Sequence, residues 1–446
     1  MFYISKDTEL TTELLTKFMN RFRSYNQPKL QKWKDYYDGK HAILQKTYSD
    51  KTKPCTRIVT NYCKVITDTY GGYIVGKPVS YSSNDDIADV QEVINYNDSN
   101  EEDIKWLTNA LVYGVGYELH WLEKVSNEKT QSRYASVSPL NAFAIYDNTL
   151  DANLLYFVRW YDEDSLDENN TQYVEVYDAN TVKTYKTEGI GSTDLILIDE
   201  QVHYFGDVPV SVFYLNETEE NIFNSIISLN DAYNELQSAE VDDYSAFCDA
   251  YLALTAMDAD KDDIADMKEN RVLLLPEGGS AGWVIKPAND AQVMNMLENI
   301  KKNIYKITSA PDMTDESFLA QSGTALAYKL VSFENVASGI VARFTKAIQR
   351  RIELICNVLN LKASDAVWRD IQISFVRNVP VNITETIQLV NSLKGTVSDA
   401  TLLSQIPFVD DVQAELEALQ KQKEANMALY SFGGNNGTEE DDDLNG

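Results

Sequence analysis

Histidine is nearly absent: the chain has only His41, His120 and His203, and no two stand at the i, i+4 spacing that puts two imidazoles on one helix face. That excludes a helix-borne zinc hydrolase pattern. Cysteine is also scarce, and Cys55, Cys63, Cys248 and Cys356 show no CxxC or Cys/His spacing, so they read as reduced thiols. Basic residues are outnumbered, with 39 Lys plus Arg against 69 Asp plus Glu, and the net charge of −30 excludes a surface that grips phosphates over a wide area. With 19 Gly, 10 Pro and 44% apolar residues in 446, the chain is neither disordered nor collagen-like. No apolar run approaches the ~20 residues that span a bilayer, and MFYISKDTEL lacks the basic and apolar regions of a secretory leader. The expectation is a chain that neither spans a membrane nor is secreted by that route.

Catalytic motifs are missing too. Gly39-Lys40 is followed by His41 and Gly76-Lys77 by Pro78, so there is no phosphate-cradling P-loop. Gly114-Val115-Gly116 lacks the third glycine of a dinucleotide fingerprint, and Glu118 would repel a phosphate there. That segment reads as a turn or a close-packing site. No G-x-S-x-G elbow occurs, and no carboxylate pair stands out among so many acids. A structural or interaction protein is favoured over an enzyme, with no cofactor and no metal; the length suffices for two to four domains or one elaborate subunit.

What is present is organised. Apolar residues at helical spacing run through 8–37, with Leu10, Leu14, Leu15, Phe18, Met19 and Phe22 before Pro28, and Leu30, Trp33, Tyr36 and Tyr37 after it. The lysines of LQKWKDYYDGKHAI read as the solvated side of that helix. Ile58, Tyr62, Val65, Ile66 and Thr69 predict a buried helix stopped by Gly71-Gly72, then a strand ending at Pro78. After a helix near 101–113, the runs YELHWLEKV, YASVSP, NAFAIYDN, LLYFVRWYD, QYVEVYD, VKTYK, DLILID and VPVSVFYL predict an antiparallel region, hence an α+β fold.

From Glu217 the period changes to 3.6, predicting one long helix to Phe247. A small β-α-β-β insert follows, with RVLLLP and AGWVIKP. A second helix occupies about 290–308, with Val293, Met296, Leu297, Ile300, Ile304 and Ile307 on one side. The loop APDMTDESFLAQSG leads to a third helix of roughly 36 residues, about 54 Å long. Gly339 lies inside it, as a bend or a tolerated glycine. Residues 289–362 carry nine Lys plus Arg against seven Asp plus Glu, a locally positive stretch in an acidic chain. The strand IQISFVR suggests a return to the β region; two short helices capped by Thr384 and Ser398, a helix from Asp410 to Leu429 and an acidic, disordered tail at 431–446 complete the chain.

Several segments, in colinear order, resemble the phage portal protein family, in particular the portals of tailed siphophages of Gram-positive bacteria. They are KWKDYYDGKHAIL, PCTRIVTNYCKVITDTYGGYIVGKPVSY, ALVYGVGYEL, LNDAYNELQSAEVDDYSAF, NIYKITSAPDMTDESFLAQSGTALAYKL and AIQRRIELI. The resemblance implies a portal fold and a ring of about twelve copies at one capsid vertex, through which a terminase motor pumps double-stranded DNA inward and from which the DNA is later released. It implies no catalysis by the subunit, a location in the virion, and assembly in the host cytoplasm. The implied partners are the terminase large subunit, a head-completion or adaptor protein, and major capsid and scaffolding proteins, with no membrane.

By the same resemblance, residues 1–216 with the return strand 371–380 are the wing. Residues 217–247 and 289–308 are the stem helices, 248–288 the clip, 309–324 the tunnel loop, 325–362 the bent channel helix and 381–430 the crown. Carboxylates are expected to dominate the bore, because each lysine–phosphate contact would brake a sliding duplex. On the loop, Asp312, Asp315 and Glu316 are acidic, while Ser317, Gln321, Ser322 and Thr324 can bond phosphates without reading sequence, and Gly323 frames a hinge. Phe318 is a constriction or an anchor. Lys329, Arg343, Lys346, Arg350 and Arg351 meet DNA or form intersubunit ion pairs. In the clip, Val272, Leu273, Leu274, Leu275 and Trp283 invite strand addition across subunits or a docking partner, or are plain core. The alternatives are another ring-forming head-tail adaptor and, remotely, an acidic hydrolase.

Overall fold

The computed structural model describes residues 1–49, 53–126, 130–163, 171–187, 194–247, 251–255, 277–284, 290–314, 323–360, 367–378, 383–403, 406, 409 and 412–432. It begins with a short strand, β1 (Phe2–Ile4), and two helices, α1 (Thr12–Arg21) and α2 (Gln27–Tyr37), joined through a π-helical turn at Phe22–Asn26. Thr11 caps α1 by accepting the Leu14 amide, and Pro28 sits in the first turn of α2, where its missing donor costs nothing.

Helix α3 (Tyr62–Val75) corrects two expectations. Ile58 is not helical, because Asn61 caps the helix by accepting the Lys64 amide and the residues before it are non-helical. The helix also runs through Gly71-Gly72, since Gly71 packs towards Leu111, and it stops at Gly76 against Asn378. The next strand, β2 (Ser80–Ser82), lies beyond Pro78 instead of before it. Two helices follow, α4 (Ala88–Tyr96), which the sequence reading does not anticipate, and α5 (Ser99–Tyr113).

Every run read as a strand between residues 115 and 215 is one: β3 (Val115–Lys124), β4 (Thr130–Val137), β5 (Ala142–Asp147), β6 (Leu154–Asp162), β7 (Gln172–Tyr177), β8 (Thr181–Thr187), β9 (Ile196–Val202) and β10 (Val210–Tyr214). They form a six-stranded sheet in the order β1-β5-β6-β7-β8-β9, antiparallel except for the β1–β5 pair, and a three-stranded sheet in the order β10-β3-β4. Gly114 turns α5 into β3 at φ +77°, with the backbone of Glu219 so close that a Cβ would stand 2.5 Å from its carbonyl oxygen. A Cβ on Gly116 would stand 2.7 Å from the Trp106 carbonyl oxygen. The close-packing reading of this glycine pair is the one the structure supports.

The helix expected from Glu217 begins later, as α6 (Ile227–Phe247), after a 3-10 turn at Asn224–Ile226. Upstream, the Asn216 carbonyl oxygen accepts from Thr218 and Glu220 amides and Asn221 from the Phe223 amide, side-chain bonds that hold the backbone out of a helix. Strands β11 (Tyr251–Thr255) and β12 (Ser280–Val284) pair antiparallel, and α7 (Asp290–Thr308) and α8 (Gly323–Asn360) follow. Strand β13 (Gln372–Ser374) returns to the N-terminal half, but its partner is β2, not the large sheet. Helices α9 (Ile383–Leu393), α10 (Asp399–Leu403) and α11 (Val412–Phe432) close the described chain. Ser398 caps α10 as expected, whereas α9 starts at Ile383, so Thr384 is not its cap. Helix α11 takes in Ser431 and Phe432, the first two residues of the expected disordered tail, and 433–446 lie outside the described residues.

One core cluster unites α1 to α5, the inner face of the large sheet and α8, through residues such as Tyr70, Trp106, Phe143, Phe333, Phe344 and Ile352. Helix α8, 38 residues and about 57 Å long, is continuous through Gly339, where a Cβ would meet open space.

Candidate functional site: a long helix clamped to the body

Helix α8 buries Leu330, Phe333, Ala337, Ile340, Phe344, Ile348, Ile352 and Ile355, the expected 3.6-period stripe. Near its C-terminal end the burial turns ionic. Arg351 is fully buried; its Nε donates to Glu118 Oε1 at 2.9 Å, and its Nη2 lies 2.6 Å from both Glu118 Oε2 and Asp103 Oδ1. The remaining amino group points to the Ser99 and Tyr81 hydroxyls, and the guanidinium stacks over Tyr134 and Trp106. Burial works against the charge of Arg351, yet Asp103 and Glu118 hold it firmly protonated. Glu118, gripped at both oxygens, stays below the usual carboxylate range despite its burial. Asp103 has the weaker grip, and burial leaves its carboxyl above that range. His120, beside Glu118, is pushed down by burial and is neutral.

This corrects one expectation outright. The resemblance sets Arg351 among residues that meet DNA or a neighbouring subunit, but it is saturated inside its own chain. Arg350 and Arg343 also find partners within the chain, Arg350 with Asp207 and Glu353 at 2.8 Å each, Arg343 with Glu217 at 3.3 Å. Lys346 is exposed.

The outer side of α8 presents Val331, Ser332, Asn335, Ser338, Gly339, Ala342, Arg343, Lys346 and Gln349, all exposed. None is acidic. The helix's two acids sit to the side, Glu334 bound by Arg377 at 3.0 Å and by the Tyr73 hydroxyl, Glu353 by Arg350. The acid-rich lining expected of a DNA conduit is therefore not carried by the described outer side of α8.

On the approach to α8, α7 ends at Thr308, whose carbonyl accepts from the Tyr70 hydroxyl at 2.7 Å. Asp312 then pairs with Lys301 at 2.7 Å and accepts from both the amide and the hydroxyl of Thr314. Burial opposes its charge, but these bonds hold its carboxyl below the usual range. Asp315, Glu316, Ser317, Phe318, Gln321 and Ser322 lie outside the described residues, as do Val272, Leu273, Leu274 and Leu275. Gly323 and Thr324 belong to the first turn of α8, not to the loop, and Lys329 follows in the same helix. Trp283 is in β12, in register with Leu252.

Helix α6 is held in a way the apolar stripe does not reveal. Asn230, Asn234, Ser238 and Asp242, every fourth residue, are all buried and accept the backbone amides of Tyr62, Thr60, Ile58 and Thr56, every second residue, at 3.1, 2.8, 3.0 and 2.6 Å. The match is geometric, since four helical residues rise about 6 Å and two extended ones about 6.6 Å. Among the described residues no cluster of His, Cys, Asp or Glu could hold a metal ion, and no helix is long and apolar enough to cross a membrane.

Comparison with known proteins places this architecture. The family described as phage portal protein, SPP1 Gp6-like, matches residues 19–428. The portal protein of Bacillus phage SPP1 is 22% identical over 440 residues, covering 92% of this chain and 85% of that protein. The portal protein of Clostridium phage phiCD119 is 21% identical over 434 residues, covering 91% and 95%. The chain belongs to the SPP1-like phage portal family.

Proposed function

With portal-family membership as the premise, we propose that about twelve copies of this chain form a ring at a single capsid vertex, the conduit through which double-stranded DNA enters under the terminase motor and later leaves. The observation that carries this reading is the family match across residues 19–428. In this reading α6 and α7 form the stem, residues 248–288 the clip that docks the terminase large subunit and then a head-completion protein, and residues 309–322 the tunnel loop. Helix α8 lines the channel, residues 381–430 form the crown, and the body before residue 217, with β13, forms the wing. The subunit is structural and not an enzyme, works without a cofactor, and assembles with major capsid and scaffolding proteins in the host cytoplasm before residing in the virion.

Two features support the role of α8. Its ionic clamp fixes one end to the body, and its outer side, free of carboxylates among the described residues, offers a phosphate backbone the cations Arg343 and Lys346 between small or uncharged side chains. The test is the particle mass by light scattering with negative-stain class averages. A particle of ten or more subunits with an axial hole is expected; a chain that forms no ring even with scaffold and capsid protein overturns the proposal.

A further inference from the structure

The rungs between α6 and the extended segment 56–62 repeat, and a repeating ladder has more than one register. We propose that α6 has a second, less populated register, shifted by one helical turn along that segment, so that the helix and its strap form a ratchet. Moving each rung four residues along α6 sets the Tyr62 amide against Asn234, Thr60 against Ser238 and Ile58 against Asp242. All three are acceptors that already serve as rungs. Only Thr56 loses its partner, because residue 246 is an alanine.

The contacts flanking the ladder survive the same shift. The Tyr36 hydroxyl donates to Asp231, and four residues on stands Glu235, another carboxylate. The Trp33 indole donates to Asn224, and four on stands Ser228. His41 donates through Nε2 to the Tyr36 carbonyl and accepts through Nδ1 from the Asn234 amide group at 3.0 Å; four on stands Ser238, whose hydroxyl donates equally well. The opposite shift also keeps three rungs, but it sets Tyr36 against Ile227 and removes Trp33 from the helix altogether. The ratchet therefore has a direction.

Other contacts favour the observed register. Lys46 pairs with Glu235 and Asp242, and a shift would set alanines, residues 239 and 246, in their places. The Thr60 hydroxyl donates to Gln237, and the Tyr62 ring meets Tyr233 edge-on at 5.2 Å. These contacts make the shifted state the minor one. Phe223, Ile226 and Ile227, buried in the core where α6 begins, would also have to leave their sites, which weighs further against the shifted state.

Disulfide trapping in the full-length chain tests the inference, independently of whether the chain builds a ring. Thr60→Cys is combined in turn with Gln237→Cys for the observed register, Val241→Cys for the shifted one and Tyr233→Cys for the opposite shift; none of these removes a rung. Peptide mapping identifies the bonded pair, and mixing with isotope-labelled chain separates bonds within a chain from bonds between chains. The Gln237 pair is expected to bond at once, the Val241 pair roughly tenfold or more slowly, and the Tyr233 pair slower still. A Val241 pair that stays reduced while the Gln237 pair bonds overturns the second register. Equal bonding at 233 and 241 also overturns it, as undirected fraying, and failure of the Gln237 pair overturns the ladder itself.

Discussion

Arg351 and Glu118 form a two-point ion pair, 2.9 Å and 2.6 Å, with neither side chain reaching solvent. It joins α8 to β3 across 233 residues of sequence, and Asp103 on α5 completes it. Arg351→Met is expected to destabilise the chain by about 3–5 kcal/mol, because it strands two buried carboxylates. Arg351→Lys recovers only part of that, since an ammonium cannot match the two-point geometry. Denaturant midpoints of the three proteins check the order.

Stability should fall as pH drops from 7 to 5. His41, His120 and His203 are all held neutral by burial, with pKa values below the ordinary ~6.5. The unfolded chain therefore binds protons first, and the stability these groups contribute is present above that pH and lost as it falls towards their folded values. Asp103, raised by burial, acts with the opposite sign, so Asp103→Asn should steepen the decline. Melting temperature against pH for the parent and for a His203→Gln variant gives the check, with the variant showing the shallower slope.

Breaking one rung tests the ladder's energetics. Asn234→Leu leaves both the Thr60 amide and His41 Nδ1 without their partner and should cost about 1–3 kcal/mol, with amide exchange at Thr60 rising in step. An Asn234→Leu protein with unchanged exchange at Thr60 would contradict the assignment.

Three glycines should respond with different signs. Gly116→Ala drives a Cβ into the Trp106 backbone and ring and should cost about 1–3 kcal/mol, and Gly114→Ala at least as much. Gly339→Ala enters open space on a helix and should add about 0.5–1 kcal/mol. If α8 must bend there in the assembled ring, that stabilised variant will package DNA poorly.

The strands of 115–215 and the long helices were legible because alternation and the 3.6-residue period are local signals that burial enforces along a single segment. The ladder was not, since the apolar period through Ile226, Leu229, Tyr233 and Leu236 marks one packed side of this segment, whereas the fourfold spacing of Asn230, Asn234, Ser238 and Asp242 marks a second, more deeply buried polar one. That polar period was present to be read, yet its meaning depends on a segment 170 residues away offering free amides.

The same division separates what the sequence alone determined from what only the tertiary structure decided. Composition, strand alternation and the colinear segments settled an acidic α+β chain of the portal family. That a buried arginine meets two carboxylates, and so is a structural clamp, was settled by the fold alone. The stripe of Phe344, Ile348, Ile352 and Ile355 already sets Arg351 on the buried face and Arg350 off it, because one step along a helix turns a side chain by about 100°. That rotation leaves Arg350 at the rim beside Asp207 and carries Arg351 inward to two carboxylates contributed by α5 and β3.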